Sequence, residues 1–194
     1  LINYKNNCFM NYVLQCLLAS KPFMYNIHDC EHFKPCEAHS AGFCTVCILV
    51  NLFMSLVNYT SQALYVYEFV RHITLFSSSF SLFKQEDAHE FLFGVLNLLE
   101  MKFDDLKIPF GCKPYLPINP SRYFFLCLTS SFLSCSNCLY TSSQSETCYG
   151  LSLGITTKMS LTSMLSFFTK AEDLSNVSCD DCNQRVKVER KLLM

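Results

Sequence analysis

The sequence lacks a surplus of either charge: 15 Lys and Arg stand against 16 Asp and Glu in 194 residues, a formal charge of −1. Without a basic excess there is no electrostatic footprint for nucleic acid and no polybasic patch for a membrane surface. Glycine and proline are scarce, at 5 and 6 residues, which excludes collagen-like and low-complexity classes. Charged residues make up only 16% against 51% hydrophobic, a balance that excludes intrinsic disorder and provides for a sizeable core. No apolar run opens the chain, Lys5 being followed by Asn6 and Asn7, so no secretory signal is read there. Leu1 rather than Met in first position reads as the interior of a longer product. The length favours one domain, or one domain with a small appendage.

What the chain has in quantity is cysteine, 13 residues. That share is below the level of small disulfide scaffolds, and an odd number cannot pair off completely. Reduced thiols used for chemistry or for metal, in a reducing compartment, fit better. Residues 40–67 carry no charged side chain, and 41–57 are nearly all apolar. A membrane span needs about 20 apolar residues, whereas Thr45, Asn51, Ser55 and Asn58 interrupt this run. It reads as a buried helix, with a membrane-tethered protein as the structural alternative.

Apolar Met10, Val13, Leu14, Leu17 and Leu18 recur at helical spacing and predict a helix over Phe9–Ala19, capped by Asn6 or Asn7 and ended by Pro22. Residues 26–40 read as a polar loop. Further helices are expected over Gly42–Tyr59 and Val66–Leu75, then a serine-rich connector over Ser77–Phe83. Gln85, Glu86 and Asp87 place acidic groups in the first turn of a helix that continues through Phe91, Leu92, Val95, Leu96 and Leu99. After Asp105 the composition shifts. Pro114, Pro117 and Pro120 punctuate a loop, Tyr123–Thr129 reads as a strand, and Leu151, Leu153 and Ile155 alternate as strand residues do. A short helix is expected at Leu161–Phe168. Arg185, Lys187, Arg190 and Lys191 alternate with Val186 and Val188 as the solvated face of a strand.

Two constellations carry chemistry. Cys8 opens the first helix, where the partial positive charge of a helix N-terminus lowers a thiol pKa and favours the nucleophilic thiolate. The amides of Asn3 and Asn6 upstream are candidate donors to an oxyanion. A cysteine at a helix start is, by itself, more often a small buried hydrophobe. The second constellation is Cys135-x-x-Cys138 with Cys179-x-x-Cys182. Each pair can bite a tetrahedral zinc from a turn, and two pairs make a closed four-thiolate structural site; the bland reading is four unconnected thiols. His28, Cys30, His32, Cys36 and His39 with Cys44 and Cys47 invite a second zinc assignment, but their spacing is irregular and the last two lie in an apolar run.

Taken in order, these motifs resemble a known family. The run Leu1-Ile-Asn-Tyr-Lys-Asn-Asn-Cys8-Phe-Met-Asn-Tyr-Val-Leu-Gln-Cys-Leu17 resembles the cysteine box of the ubiquitin-specific proteases, and Gln85-Glu-Asp-Ala-His-Glu-Phe-Leu92 resembles that family's second box. Phe43-Cys-Thr-Val-Cys47, Glu68-Phe-Val-Arg71 and the paired Cys-x-x-Cys motifs follow in matching order, and Leu151-Ser-Leu153 with Glu172-Asp-Leu174 is similar to the finger region.

The resemblance implies an α+β, papain-like cysteine protease fold. A helical thumb over residues 1–105 would lead into the start of a β-rich palm and zinc-tipped fingers over 106–194, one truncated catalytic domain. It implies a thiol-dependent deubiquitinase, intracellular in cytoplasm or nucleus, acting on ubiquitin and ubiquitinated proteins, with no nucleic acid or membrane as partner. Cys8 would be the nucleophile that attacks the carbonyl after ubiquitin's terminal glycine, Asn3 would help form the oxyanion hole, and Gln85 and Asp87 would position the ubiquitin tail or the nucleophile helix. Cys135, Cys138, Cys179 and Cys182 would hold one structural zinc. The sequence departs from the family where Lys5 replaces a small residue, often glycine, and where Asn7 replaces threonine. No Gly-His-Tyr run, the source of the family's general base, occurs in these residues. Of the five histidines, His89 lies in the second box, but that position is not the base in this family. The alternative reading is therefore an inactive, zinc-containing ubiquitin-binding remnant or fragment.

Overall fold

The computed structural model describes residues 1–3, 5–29, 36, 42–58, 63–105, 119–155 and 158–193. They belong to two compact units, 1–124 and 125–194.

The first unit is helical. α1 (Cys8–Ala19) buries Phe9, Met10, Val13, Leu14, Leu17 and Leu18, the stripe expected from their spacing. Pro22 does not close the helical run. It lies in the first turn of α2 (Lys21–Asp29), where a missing N–H is harmless because first-turn amides have no intrahelical acceptor. Ser20 is the joint: its N–H donates to the Leu17 carbonyl at 3.1 Å while its own carbonyl accepts from Met24 at 3.0 Å. Residues 26–29, expected in a polar loop, are helical instead. Most of the rest of that expected loop, with Cys30, His32 and His39, lies outside the described residues.

α3 (Thr45–Asn58) is shorter than the stretch predicted for it, and no helix among the described residues is long and apolar enough to cross a membrane. The segment after it splits into α4 (Tyr67–Arg71) and a 3₁₀ turn (Ile73–Leu75), broken at His72. α5 (Ala88–Asp105) runs through the core and encloses Phe91, Val95, Leu96 and Leu99 completely. Gly94 on this helix passes close to the Phe76 backbone, where a Cβ would stand 2.3 Å from the carbonyl oxygen.

Of the strand expected at Tyr123–Thr129, residues 123–125 belong instead to α6 (Pro120–Phe125), and only Cys127–Thr129 are strand, the start of β1 (Cys127–Cys135). The aromatic residues favour a strand, but Asn119 Oδ1 accepts the N–H of Ser121 at 3.1 Å and of Arg122 at 3.4 Å. That cap, followed by Pro120 at the first helical position, starts a helix instead.

The second unit is a four-stranded antiparallel sheet in the order β2-β1-β4-β3. β1 (Cys127–Cys135) and β2 (Thr141–Cys148) form one hairpin, and β3 (Glu172–Ser178) and β4 (Arg185–Leu193) form another. β1 and β4 join them, with Cys135 opposite Val188 and Ser130 opposite Leu193. α7 (Leu161–Phe168) starts at Ser160, whose hydroxyl accepts the Ser163 N–H at 3.2 Å. Leu151, Leu153 and Ile155, expected as a strand, pair with no strand of this sheet, and Ile155 is 81% exposed. The apolar side chains buried in the unit are only Cys135, Cys179 and Val188 among the described residues.

Candidate active site and metal centre

Cys8 is the first residue of α1 and is exposed. The next residue, Phe9, points the other way into the core. Its ring meets Phe80 at 5.9 Å and Phe91 at 5.8 Å, both edge-on. The first helical hydrogen bond runs from the Asn11 N–H to the Asn7 carbonyl at 3.0 Å, so the N–H groups of Cys8 to Met10 have no partner within the helix and favour negative charge at that end. No side chain among the described residues hydrogen-bonds the Cys8 sulfur.

The residues before Cys8 are held by a set of cross-links. Asn3 Oδ1 accepts the Asn7 N–H at 3.3 Å, which leaves the exposed Asn3 Nδ2 directed elsewhere. Asn11 Nδ2 donates to the Ile2 carbonyl at 3.1 Å, and the Ile2 N–H donates to Leu64 at 2.9 Å. Lys5 and Asn6 hold φ of 42° and 59°. This left-handed backbone costs an ordinary side chain about 1–2 kcal/mol and glycine little. Glycine rather than lysine is thus the residue that the backbone at position 5 favours.

Asn6 Nδ2 donates to the Phe83 carbonyl at 3.1 Å across 77 positions of sequence. This ties the loop before Cys8 to the segment that leads into Gln85, a contact of which the sequence carries no local signal. Phe83, also left-handed at φ 62°, and Lys5 line a shallow depression beside α1. Gln85 is exposed in the loop before α5.

Asp87 sits one step earlier than the first helical turn expected for it. As the cap of α5 its Oδ1 accepts the His89 N–H at 2.7 Å and the Glu90 N–H at 2.9 Å. Those N–H groups, Glu90 first and then His89, hold its carboxyl below the usual value of 3.8. A lowered folded-state pKa gives stability that is present above the unfolded value and is lost as pH falls through the folded one. Asp87→Ala is therefore expected to lower the melting temperature at neutral pH, with the deficit closing below about pH 4. Melting curves of both proteins across that range test it; a deficit unchanged in acid would refute the ionic part of the cap.

The four expected metal ligands are brought together. The sulfurs of Cys135, Cys138, Cys179 and Cys182 lie within 4.8 Å of one another, with Cys138 and Cys179 at 3.6 Å. The same turn builds both halves. The Leu139 N–H donates to the Cys135 carbonyl at 3.2 Å and the Asn183 N–H to the Cys179 carbonyl at 2.9 Å, with Leu139 at φ 62° and Asn183 at φ 55°. Asn137 ties the turns together through Gln184 Oε1 at 3.0 Å.

Backbone N–H groups of Cys138 and Asn137 aimed at the Cys135 sulfur pull its pKa down to about 7. The Tyr140 N–H pulls Cys138 the same way, but burial and the neighbouring thiols outweigh it and push that pKa up to about 12. Thus one thiolate is favoured while the crowding of sulfurs resists more, the situation that a tetrahedral dication relieves. The donor set, spacing and closed geometry fit a structural zinc.

Residues 1–189 match the family model described as ubiquitin carboxyl-terminal hydrolase. The chain belongs to the ubiquitin carboxyl-terminal hydrolase family. Among curated relatives, ubiquitin carboxyl-terminal hydrolases 20 and 21 of Arabidopsis thaliana are 32% and 31% identical, each over 99% of this chain. The chain spans 27% and 26% of those relatives' lengths. Among solved structures, the Ubp8/Sgf11/Sus1/Sgf73 DUB module of SAGA bound to ubiquitin aldehyde matches with a TM-score of 0.78 at 25% identity, covering 99% of this chain and 43% of that one. The module bound to monoubiquitin shares the fold with a TM-score of 0.79 at 24% identity. The α+β class expected of this hydrolase family is the one found, helices followed by an antiparallel sheet that carries the four-cysteine cluster.

Proposed function

We propose that the chain carries the nucleophile of a deubiquitinase, with residues 1–105 as the thumb and 106–194 as the start of palm and fingers. The observation that supports this most is the exposed Cys8 at the first residue of α1, within a cysteine box matched by the family over residues 1–189. In this reading the Cys8 sulfur attacks the carbonyl carbon after ubiquitin's terminal glycine. A C–S bond forms, the carbonyl electron pair moves onto oxygen, and the free Nδ2 of Asn3 donates to that oxyanion. Collapse expels the lysine amine, and water later hydrolyses the thioester. Gln85 positions the ubiquitin tail, and Asp87 acts through the start of α5. The substrates are ubiquitinated proteins in the reducing cytoplasm or nucleus, with no role for nucleic acid or membrane. Cys135, Cys138, Cys179 and Cys182 hold one zinc, which when bound supplies a fixed cross-link and no reaction chemistry.

The leaving amine needs a proton, and the described histidines are engaged elsewhere. His28 Nδ1 pairs with Asp29 at 3.0 Å, His72 Nδ1 lies 3.0 Å from the Glu68 carbonyl, and the His89 ring packs on Phe93 at 4.5 Å. This favours, as second reading, a ubiquitin-binding remnant. Loss of one member of a catalytic group typically costs several orders of magnitude in rate.

The decisive experiment incubates the chain with ubiquitin carrying a C-terminal electrophile and maps the adduct by mass spectrometry. Slow labelling at Cys8, absent in Cys8→Ala, is expected. Labelling of a different cysteine would overturn the assignment. Rapid turnover of a ubiquitin–fluorophore conjugate would show that a base for Cys8 lies within these residues.

A further inference from the structure

The open end of the β1–β2 hairpin holds a pair of thiols that the four-cysteine centre does not use. Cys127, the first residue of β1, stands directly opposite Cys148, the last residue of β2. Their sulfurs lie 3.1 Å apart, and the Cys127 thiol donates to the Cys148 carbonyl at 3.2 Å. Neither is in a disulfide, and both are half-buried. We propose that Cys127 and Cys148 form a two-electron oxidation site, where a peroxide closes a cross-strand disulfide and a dithiol reopens it.

The register already supplies the geometry. Residues directly opposite on antiparallel strands have Cα atoms about 4.5–5.5 Å apart, within the roughly 4.4–6.8 Å that a disulfide spans. A sulfur–sulfur bond is about 2.05 Å long, so a shift of about 1 Å closes the pair.

The hydrogen bond with Cys148, and then burial, push the Cys127 pKa above the usual thiol value, so the first attack falls to Cys148. Its sulfur takes an oxygen from the peroxide. An S–O bond forms, the O–O bond breaks, and the departing hydroxide leaves as water with the thiol proton, giving a sulfenic acid. The Cys127 sulfur then displaces that hydroxyl. The S–S bond forms, the S–O bond breaks, and the Cys127 proton leaves in a second water. Two thiols lose two electrons, and one hydrogen peroxide becomes two waters.

The position gives the bond a structural effect. β1 pairs with β4 only over Ser130–Cys135, so residues 127–129 pair with β2 alone. β2 is an edge strand with no buried residue, and two strands without a third are marginal in water. The four-cysteine centre ties the turn end of this hairpin, at Cys135 and Cys138. The disulfide clamps the other end, where no metal ligand lies. In a reducing compartment such a bond is transient, which makes the clamp responsive to oxidant. The site does not rest on the proposed activity.

The test uses the whole chain, supplied with zinc, reduced, treated with a small excess of hydrogen peroxide, alkylated, and digested without reductant. Mass spectrometry should find two peptides joined through Cys127 and Cys148, two hydrogens lighter than the separate pair, and dithiothreitol should part them. In Cys127→Ser the link should vanish and a sulfenic acid trapped by dimedone should remain at Cys148. Amides of residues 127–129 should exchange at least about tenfold more slowly in the oxidised chain. Peroxide that oxidises the exposed Cys8 or Cys16 yet leaves Cys127 and Cys148 both open to alkylation refutes the site. So does a disulfide that joins either of them to a different cysteine in preference. Exchange unchanged in the linked chain overturns the clamp. If Cys127→Ser does not fold, the link map of the unaltered chain decides alone.

Discussion

Gly94→Ala is expected to lower the melting temperature by several degrees, although alanine is the better helix former. In an exposed helix the exchange would gain about 1 kcal/mol. Here the new Cβ would stand 2.3 Å from the Phe76 carbonyl oxygen and 2.8 Å from its carbonyl carbon and Cα. These are backbone atoms and cannot swing aside as a side chain can. Overpacking a tight core costs about 1–3 kcal/mol, and a backbone obstacle places this case at the upper end, so the clash exceeds the propensity gain. With about 2–8 °C of melting temperature per kcal/mol for domains of this size range, the loss is readily measured. Gly154→Ala is the control, since nothing lies within 4 Å of its Cβ position. If both variants melt with the unaltered protein, the close approach of α5 to Phe76 is wrong.

Removal of zinc is expected to have a still larger effect, confined at first to the sheet. The unit of residues 125–194 buries only Cys135, Cys179 and Val188 as apolar side chains among the described residues, and no residue of α7 is buried. So small a core does not offset the entropy of ordering four strands, and units of this kind depend on metals or other staples. Structural zinc contributes on the order of 10 kcal/mol to small domains at neutral pH. A strong chelator should therefore abolish the β signal in circular dichroism and restore it on zinc addition, while most helical signal persists. Cys179→Ser should do the same without chelator. A sheet that keeps its strands in excess chelator would dismiss zinc as its support.

The legible parts of this fold are those governed by local spacing. α1 follows from apolar periodicity, although Asn7 at its start makes no side-chain cap hydrogen bond, and the four-thiolate cluster follows from two Cys-x-x-Cys pairs whose turns can each bite a metal. Misreadings arose where one residue serves two opposite purposes. Pro22 reads as a terminator, yet proline is equally suited to a first helical turn, and α2 uses it so. Tyr123 to Phe125 read as strand because aromatics favour strands, while the side chain of Asn119 settles the matter for helix. Asp87 was expected inside α5 and is its cap, since capping and the helix dipole both favour an acid there and differ by one position. Contacts between distant segments left no local trace. Asn6 reaches Phe83 across 77 residues, and Cys36 reaches Cys44 and Cys47 only through the path of the chain between them.

The adjacency of Cys8 and Phe9 has a reach beyond the reactive surface. One residue faces solvent while its neighbour is wedged between Phe80 and Phe91, and Phe91 in turn leans on Phe76 at 4.9 Å. Any drift of those rings is transmitted through a single peptide bond to the sulfur. Mutational tolerance in this interior is therefore set by positional accuracy at the surface. Harmful substitutions will concentrate among these buried aromatic residues.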